Sequence, residues 1–244
     1  MCRITYIWLQ LMAKRVVKIN DYLSKIEDML STLTPEQRVV IEDSITMVKC
    51  KKNEIIYKEG EKPRHMFCLV DGKVKIYKDG VGGRPQIIRV LNAPEYFAYR
   101  AYIADEPFIT AAAAFEPCVM LKIPLDLLID YMQGNAAFAW FFIQRLAQDL
   151  GVSDERTVNL TQKHIRGRLA ESLLFLKDSY GLEEDGTTLN IYLSREDLAN
   201  LSNMTTSNAI RTLSAFANEK LVAIDGRKIA FMNLKELEKI SKMG

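Results

Sequence analysis

The sequence is poor in the residues that build metal and redox centres. Two histidines, His65 and His164, and four cysteines, Cys2, Cys50, Cys68 and Cys118, are scattered over 244 residues. None of the cysteines forms a CxxC pair, so neither a zinc ribbon nor a thioredoxin-like motif is written here. Disulfide frameworks serve short secreted chains without adequate cores, so the thiols are read as buried and free. Net charge is nearly missing too: 33 basic residues stand against 31 acidic ones, for a formal +2. The overall balance therefore does not advertise a polyanionic partner. Long hydrophobic runs are also absent. The stretch Ile4–Met12 has nine residues, against the ~18–20 that span a bilayer. It lacks the cleavage site of a signal peptide, and Lys14-Arg15 follow it. Met12-Ala13-Lys14 reads as an alternative start, leaving residues 1–11 as a flexible tail or an extension foreign to the native protein. The expectation is a cytoplasmic protein without a membrane partner, whose 48% hydrophobic and 26% charged residues suit one large or two modest globular domains.

What is present falls into three regions. Residues 20–48 read as helix, with Thr34-Pro35-Glu36-Gln37 combining an N-cap threonine, proline at the first helical position and a capping-box glutamine. From about Asn53 to Pro124 short β-like runs alternate with turn residues: 54–57, 65–70, 73–77 and 86–91, punctuated by Glu59-Gly60, Asp71-Gly72, Asp79-Gly80 and Gly82-Gly83. Lys73–Tyr77 alternates strictly, with Val74 and Ile76 on one face. Many short strands at such spacing predict a small barrel or roll. An enzyme of the cupin kind built on that roll would need a His/Glu metal cluster that the sequence does not offer, and no catalytic constellation replaces it. No enzymatic activity is expected.

After Pro124 the texture turns helical. A short helix ends at Gly134, and Ala136–Lys163 then runs without proline, about 42 Å of helix at ~1.5 Å per residue. Ala139, Ile143, Leu146, Leu150, Ser153, Thr157 and Leu160 alternate steps of four and three, a seam for another helix. The expected interface of a parallel homodimer is Ile143, Leu146, Leu150, Ser153, Thr157 and Leu160; an ordinary core helix is the alternative. Phe138, Trp140, Phe141 and Phe142 cannot all face one seam, so some are expected to pack against the β region.

The C-terminal part carries the most specific pattern. A helix from Ile165 to about Ser179 precedes an acidic turn. Ser194-Arg195-Glu196-Asp197 then reads as a capping box opening a short helix with Leu198, Ala199 and Leu201 inward. Ser202-Asn203-Met204 is the break, where asparagine suits a positive φ. Thr205 caps a second helix with Ala209, Ile210, Leu213 and Phe216 as its buried stripe. Residues 221–224 and 229–231 flank Asp225-Gly226, a type I′ hairpin signal. Helix, tight turn, helix and hairpin make a winged helix-turn-helix, whose second helix enters the DNA major groove N-terminal end first. The DNA-contacting candidates are Arg195, Thr205, Thr206, Ser207, Asn208 and Arg211. Ser207 and Arg211 share a face, and arginine reading guanine bidentately is the commonest specific contact. The charge from Ser194 to Met232 nets only +1, so spacing carries this reading. A helical hairpin serving protein contacts, in a small-molecule sensor or signalling adaptor, is the alternative, separable by the salt dependence of DNA binding.

Roll, long helix and winged helix-turn-helix, in that order, resemble the Crp/Fnr family of bacterial transcription regulators over about residues 25–235. The motifs are Tyr57-Lys58-Glu59-Gly60, Asp71-Gly72-Lys73-Val74, Gly167-Arg168-Leu169-Ala170 and Leu193 to Val222. The resemblance implies an α+β fold: an N-terminal double-stranded β-helix (a jelly-roll-like β-roll), a long dimerisation helix and a C-terminal winged helix-turn-helix. The expected division is a tail at 1–19, an effector-sensing roll at 20–135, the dimerisation helix at 136–163 and the DNA-binding domain at 164–244. It further implies a homodimer on a two-fold operator, RNA polymerase as a partner if the protein activates, and a small effector held between roll and long helix.

The effector cassette departs from the family pattern. Cyclic-nucleotide-binding members carry roughly G-E-[LI]-[GA] followed by R-[ST]-A, glutamate for the ribose and arginine for the phosphate. Here Ala98-Tyr99-Arg100-Ala101 is followed by Ile109-Thr110-Ala111. Tyr99 stands where glutamate belongs and Ile109 where arginine belongs. Burying a phosphate without its cation costs several kcal/mol, so cyclic AMP is not the expected effector, although Arg100 or Arg89 could partly compensate. Ser153 and Asp154 lie where cyclic-AMP sensors set two hydroxyls against the adenine. The pocket candidates are thus Tyr99, Arg100, Ile109, Thr110, Ser153 and Asp154. Iron–sulfur members cluster cysteines near the N-terminus, where only Cys2 lies. Haem members need axial ligands, for which His65 and His164 are the only histidines and read as surface or hinge residues. Neither cofactor is expected, and the effector stays unidentified.

Overall fold

The computed structural model describes residues 19–80 and 85–243. The expected tail and alternative start therefore lie, Ile19 apart, outside the described residues. The chain forms two compact units, one of residues up to 76 with 90–147, the other of 77–89 with 148 onward.

The first unit opens with helical turns over 19–30, ending in α1 (Glu27–Leu30), and with α2 (Pro35–Ser44). The predicted capping box is formed: the Gln37 amide donates to Thr34 Oγ1 at 3.3 Å and the Thr34 amide to Gln37 Oε1 at 3.1 Å. Helix does not continue to residue 48, however. It stops at Ser44, and β1 (Thr46–Cys50) pairs antiparallel with the last strand of the roll.

Seven further strands complete the roll: β2 (Ile55–Tyr57), β3 (His65–Asp71), β4 (Lys73–Asp79), β5 (Pro85–Asn92), β6 (Glu95–Phe97), β7 (Ala111–Ala114) and β8 (Cys118–Pro124), with the one-turn helix α3 (Arg100–Ile103) before β7. They form two four-stranded sheets, in the orders β1-β8-β3-β6 and β2-β7-β4-β5. The outer ends of β4 and β5 belong to the second unit. Because strand side chains alternate faces, β3 and β8 each serve two cores. Met66, Cys68, Val70, Leu121 and Ile123 pack with the helices, including Phe138 and Phe142. Leu69, Met120 and Cys118 pack on the other face with Val74, Phe97 and Ala112. Full burial of each large side chain contributes roughly 1.5–3 kcal/mol, so double-faced burial makes this strand pair the most heavily invested part of the roll.

Gly72 turns β3 into β4 at φ +79°, directly against the start of β8. A Cβ there would lie 2.3 Å from the Pro117 carbonyl oxygen and 2.8 Å from Cys118 Cα. Glycine is the one residue that meets both demands.

After β8 come α4 (Leu125–Gly134) and the long α5 (Ala136–Gln162). Asn135 joins them: its Oδ1 accepts from the Phe138 amide at 3.1 Å, and its Nδ2 donates to Thr32 O and Gln37 Oε1, both at 2.9 Å. The expected division among the aromatics is found. Phe138 and Phe142 are fully buried and meet edge-to-face at 5.2 Å, whereas Trp140 is 58% exposed. Arg145 adds a polar tie, paired with Asp28 at 2.8 Å while stacked over Tyr96 and Phe141; the Tyr96 hydroxyl donates to the same carboxylate at 2.5 Å.

Candidate functional site

The second unit holds α6 (Ile165–Tyr180), α7 (Arg195–Leu201), α8 (Thr206–Asn218), the hairpin β9 (Val222–Asp225) and β10 (Lys228–Phe231), and α9 (Leu234–Met243). Ser194 caps α7, its hydroxyl accepting from the Asp197 amide at 3.0 Å and donating to the Asp197 carboxylate at 2.7 Å. Helix α7 ends at Ser202, Asn203 adopts φ 49°, and the Met204 amide returns to Ala199 O at 3.0 Å. Thr205 then caps α8 by accepting from the Asn208 amide at 3.2 Å. These are the local rules for a tight helix-turn-helix, each supplied by a named side chain. The turn is pinned from below, where the buried Ser202 hydroxyl bonds Ser172 of α6 at 2.9 Å.

Ala209, Leu213 and Phe216 of α8 are buried as expected, but Ile210 is 46% exposed. The reason is angular. Residues 209, 213 and 216 share one face, and 210 is turned about 100° from 209, onto the side that carries Thr206, Ser207 and Arg211. All three of these are exposed, and the Arg211 guanidinium donates to Asn208 Oδ1 at 2.5 Å. The N-terminal half of α8 thus presents hydroxyls, an amide, a guanidinium and one branched apolar side chain.

The hairpin stands beside it. Asp225 pairs with Lys228, so the two turn residues are Gly226 and Arg227 rather than Asp225 and Gly226. Gly226 alone of these has positive φ, the pattern of a type II′ turn rather than I′. Arg195 Nη2 donates to the Gly226 carbonyl at 2.8 Å, which ties the wing turn to the start of α7. Lys228 lies 3.4 Å from Glu183, whose carboxylate raises the lysine pKa and also accepts from the Tyr192 hydroxyl. Arg166 of α6 forms a two-pronged pair with Glu219 at 2.6 and 2.9 Å and covers the Phe216 ring. Arg156, on the C-terminal half of α5, donates to the carbonyls of Ile87 at 2.8 Å and Leu201 at 3.0 Å. Its burial away from water pushes its pKa down to about 10.

Two family models match the chain in sequence order: the cyclic nucleotide-binding domain over residues 47–135 and the Crp-like helix-turn-helix domain over residues 167–240. The chain belongs to the Crp/Fnr family of transcription regulators. Among curated relatives, it is 19% identical to the CRP-like cAMP-activated global transcriptional regulator of Mycobacterium tuberculosis, over 83% of this chain and 91% of that one. It is 23% identical to the anaerobic regulatory protein of Bacillus subtilis, over 76% of this chain and 79% of that one. Among solved structures, FixK2 from Bradyrhizobium japonicum matches with a TM-score of 0.72 at 22% identity, covering 80% of this chain and 96% of that one. A CRP/FNR-family regulator from Thermus thermophilus matches with a TM-score of 0.67 at 20% identity, covering 81% and 98%. These structures share the α+β architecture of roll, long helix and helix-turn-helix.

In this Crp/Fnr protein the cassette opens on a glycine-like backbone conformation but carries other side chains. Ala98 adopts φ 71°, a conformation natural to the glycine of the family pattern, and α3 starts directly after Tyr99. The Tyr99 ring is buried edge-on to Phe142 at 5.1 Å. Arg100 is ion-paired with Glu106 at 2.6 Å, and Ile109 is 48% exposed. Tyr99, Arg100, Ile109 and Thr110 all lie in the first unit, whereas Ser153 and Asp154 are exposed residues of α5 in the second. A cyclic nucleotide does not fit these residues, since an aromatic ring fills the glutamate position and the nearby cation already has a carboxylate.

On α5, Ile143 and Leu150 are 51% and 62% exposed; Ser153 and Thr157 are exposed, and Leu146 is half-buried. The Leu160 side chain lies outside what is described. Val152 and Val158, which the heptad reading passed over, are exposed as well. No described helix is long and apolar enough to cross a membrane, and among the described residues no three His, Cys, Asp or Glu side chains converge to hold a metal.

Proposed function

We propose that this regulator acts as a homodimer on a two-fold DNA operator, with α8 in the major groove and the β9–β10 hairpin as the wing. The observation that carries the reading is the exposed N-terminal face of α8, where Thr206, Ser207, Ile210 and Arg211 stand clear of the core. Arg211 reads guanine, Ile210 offers a branched surface to a thymine methyl, and the hydroxyls and Asn208 set neighbouring preferences. Thr205 acts by holding the first turn of α8, and Arg195 by holding the wing turn. Half-sites lie about one helical turn, ~34 Å, apart.

Substituting Arg211→Ala is expected to cost about 1–3 kcal/mol on the operator. The check is a gel shift at fixed salt against a palindromic library; wild-type affinity in the variant would remove Arg211 from the reading. A flat response of wild-type binding to salt would remove DNA altogether, because phosphate contacts release counterions.

The dimer rests on Ile143, Leu150 and Thr157, seven residues apart on α5, with Leu146, Ser153 and Leu160 completing the seam. Leu150→Glu sets like charges against each other across a two-fold seam and is expected to shift the protein from dimer to monomer in sedimentation velocity. A variant still dimeric at micromolar concentration would refute that seam.

The roll is read as the site of an effector other than a cyclic nucleotide, on the strength of the buried Tyr99 and the Arg100–Glu106 pair. If the operator lies where the regulator activates, RNA polymerase is the further partner.

A further inference from the structure

The first unit contains a pair of thiols that neither the DNA-facing surface nor the cassette uses. Cys50 ends β1, Cys118 begins β8, and the antiparallel register sets them directly opposite each other. Directly opposed residues on such strands have Cα atoms ~4.5–5.5 Å apart, within the ~4.4–6.8 Å that a disulfide spans. Their side chains share one face of the sheet, and both lie in the inter-sheet cluster. The two thiols lie close enough to perturb each other's ionisation, and both cysteines are free. Two free thiols directly opposed on paired strands, facing the same cluster, meet the register a disulfide requires.

We propose that Cys50 and Cys118 form a reversible disulfide, and that the oxidant is a hydroperoxide. The Cys50 thiolate attacks one peroxide oxygen; the O–O bond breaks, hydroxide leaves, and Cys50 becomes a sulfenic acid. The Cys118 sulfur then attacks Cys50 Sγ; the S–O bond breaks and the departing oxygen leaves as water with the Cys118 proton. With hydrogen peroxide, two thiols lose two electrons and one peroxide becomes two waters. Cys50 initiates because it borders the exposed turn at Lys51 and Lys52 and is the more open of the two at 7% against 3%. Burial pushes both thiols up, Cys118 to about 12, so the reaction is slow at neutral pH and quickens as pH rises. Cys68 provides an internal control: it faces Leu121 on β8 and Tyr96 on β6, and no cysteine lies opposite it.

The test uses the full chain, exposed to hydrogen peroxide at pH 8, alkylated under denaturing conditions and digested. The expected result is one linked peptide pair containing Cys50 and Cys118, two hydrogens lighter than its halves and released by dithiothreitol, with Cys68 alkylated as in untreated protein. The roll should also unfold about 10 °C higher while oxidised. Cys118→Ser should abolish the linkage and leave Cys50 to go on to the sulfinic state. Separate alkylation or separate over-oxidation of Cys50 and Cys118 in the wild-type chain would overturn the proposal, and that readout requires no variant to fold.

Discussion

Gly72→Ala is expected to be the most damaging single-methyl change in the first unit, with a loss of about 4 kcal/mol or more. Two penalties add. At φ +79° a Cβ meets its own backbone, which costs roughly 1–2 kcal/mol. It also lands 2.3 Å from the Pro117 carbonyl oxygen and 2.8 Å from Cys118 Cα, main-chain atoms at the start of β8, where Cys118 pairs with Cys50 of β1 and the next residue, Val119, with β3. A flexible side chain could swing away; β8 cannot. Gly60 supplies the control, because its φ is +84° but nothing lies within 4 Å of its would-be Cβ. Gly60→Ala should therefore lose only the backbone penalty, roughly 1–2 kcal/mol. Urea unfolding of the two variants measures the difference, and coincident midpoints would show that the close approach to β8 is not real.

The second large effect belongs to the DNA-binding unit. Phe216 is fully buried, with α8 lying on α6, and Arg166 sits 4.9 Å from its ring. Phe216→Ala should cost about 3–5 kcal/mol through lost burial and the cavity left behind. Since α8 gains its position from this face, operator binding should disappear at 37 °C although no DNA-facing residue has changed. Hydrogen exchange separates this from a general collapse. Amides of α6 to α9 should exchange faster while those of β3 and β8 keep their protection. Equal acceleration in both units would show that the effect is not confined to the winged helix. Phe216→Leu should cost much less, because it retains most of the buried volume.

The winged helix was legible because its determinants are local. Ser194, Asn203 and Thr205 each work on backbone within three residues, and all three act in the structure as their positions suggest. Strand β1 was not legible, since Thr46–Cys50 follows a helix without a glycine or proline between them and is extended because β8 lies beside it. Such pairing is non-local, and strand preference depends on what lies opposite. The same blindness hid the facing of Cys50 and Cys118, 68 positions apart, although each was expected to be buried. Hydrophobicity alone assigns Ile210 to the core, whereas the period of α8 turns it outward. In the cassette the exchange of glutamate for Tyr99 was plain from the residues. The filling of that place by its ring, against Phe142, depends on where α5 lies, a partner more than 40 positions away in the chain.

The Arg156 contacts have one more consequence. Both of its acceptors are peptide carbonyls, at Ile87 and Leu201, and every residue type brings a peptide carbonyl. The tie from α5 to the outer end of β5 and to the last turn of α7 is therefore indifferent to the side chains at positions 87 and 201. Substitution can wander at both places without loosening it, and the whole specification of the contact rests on one terminal nitrogen, Arg156 Nη2, which donates to both carbonyls.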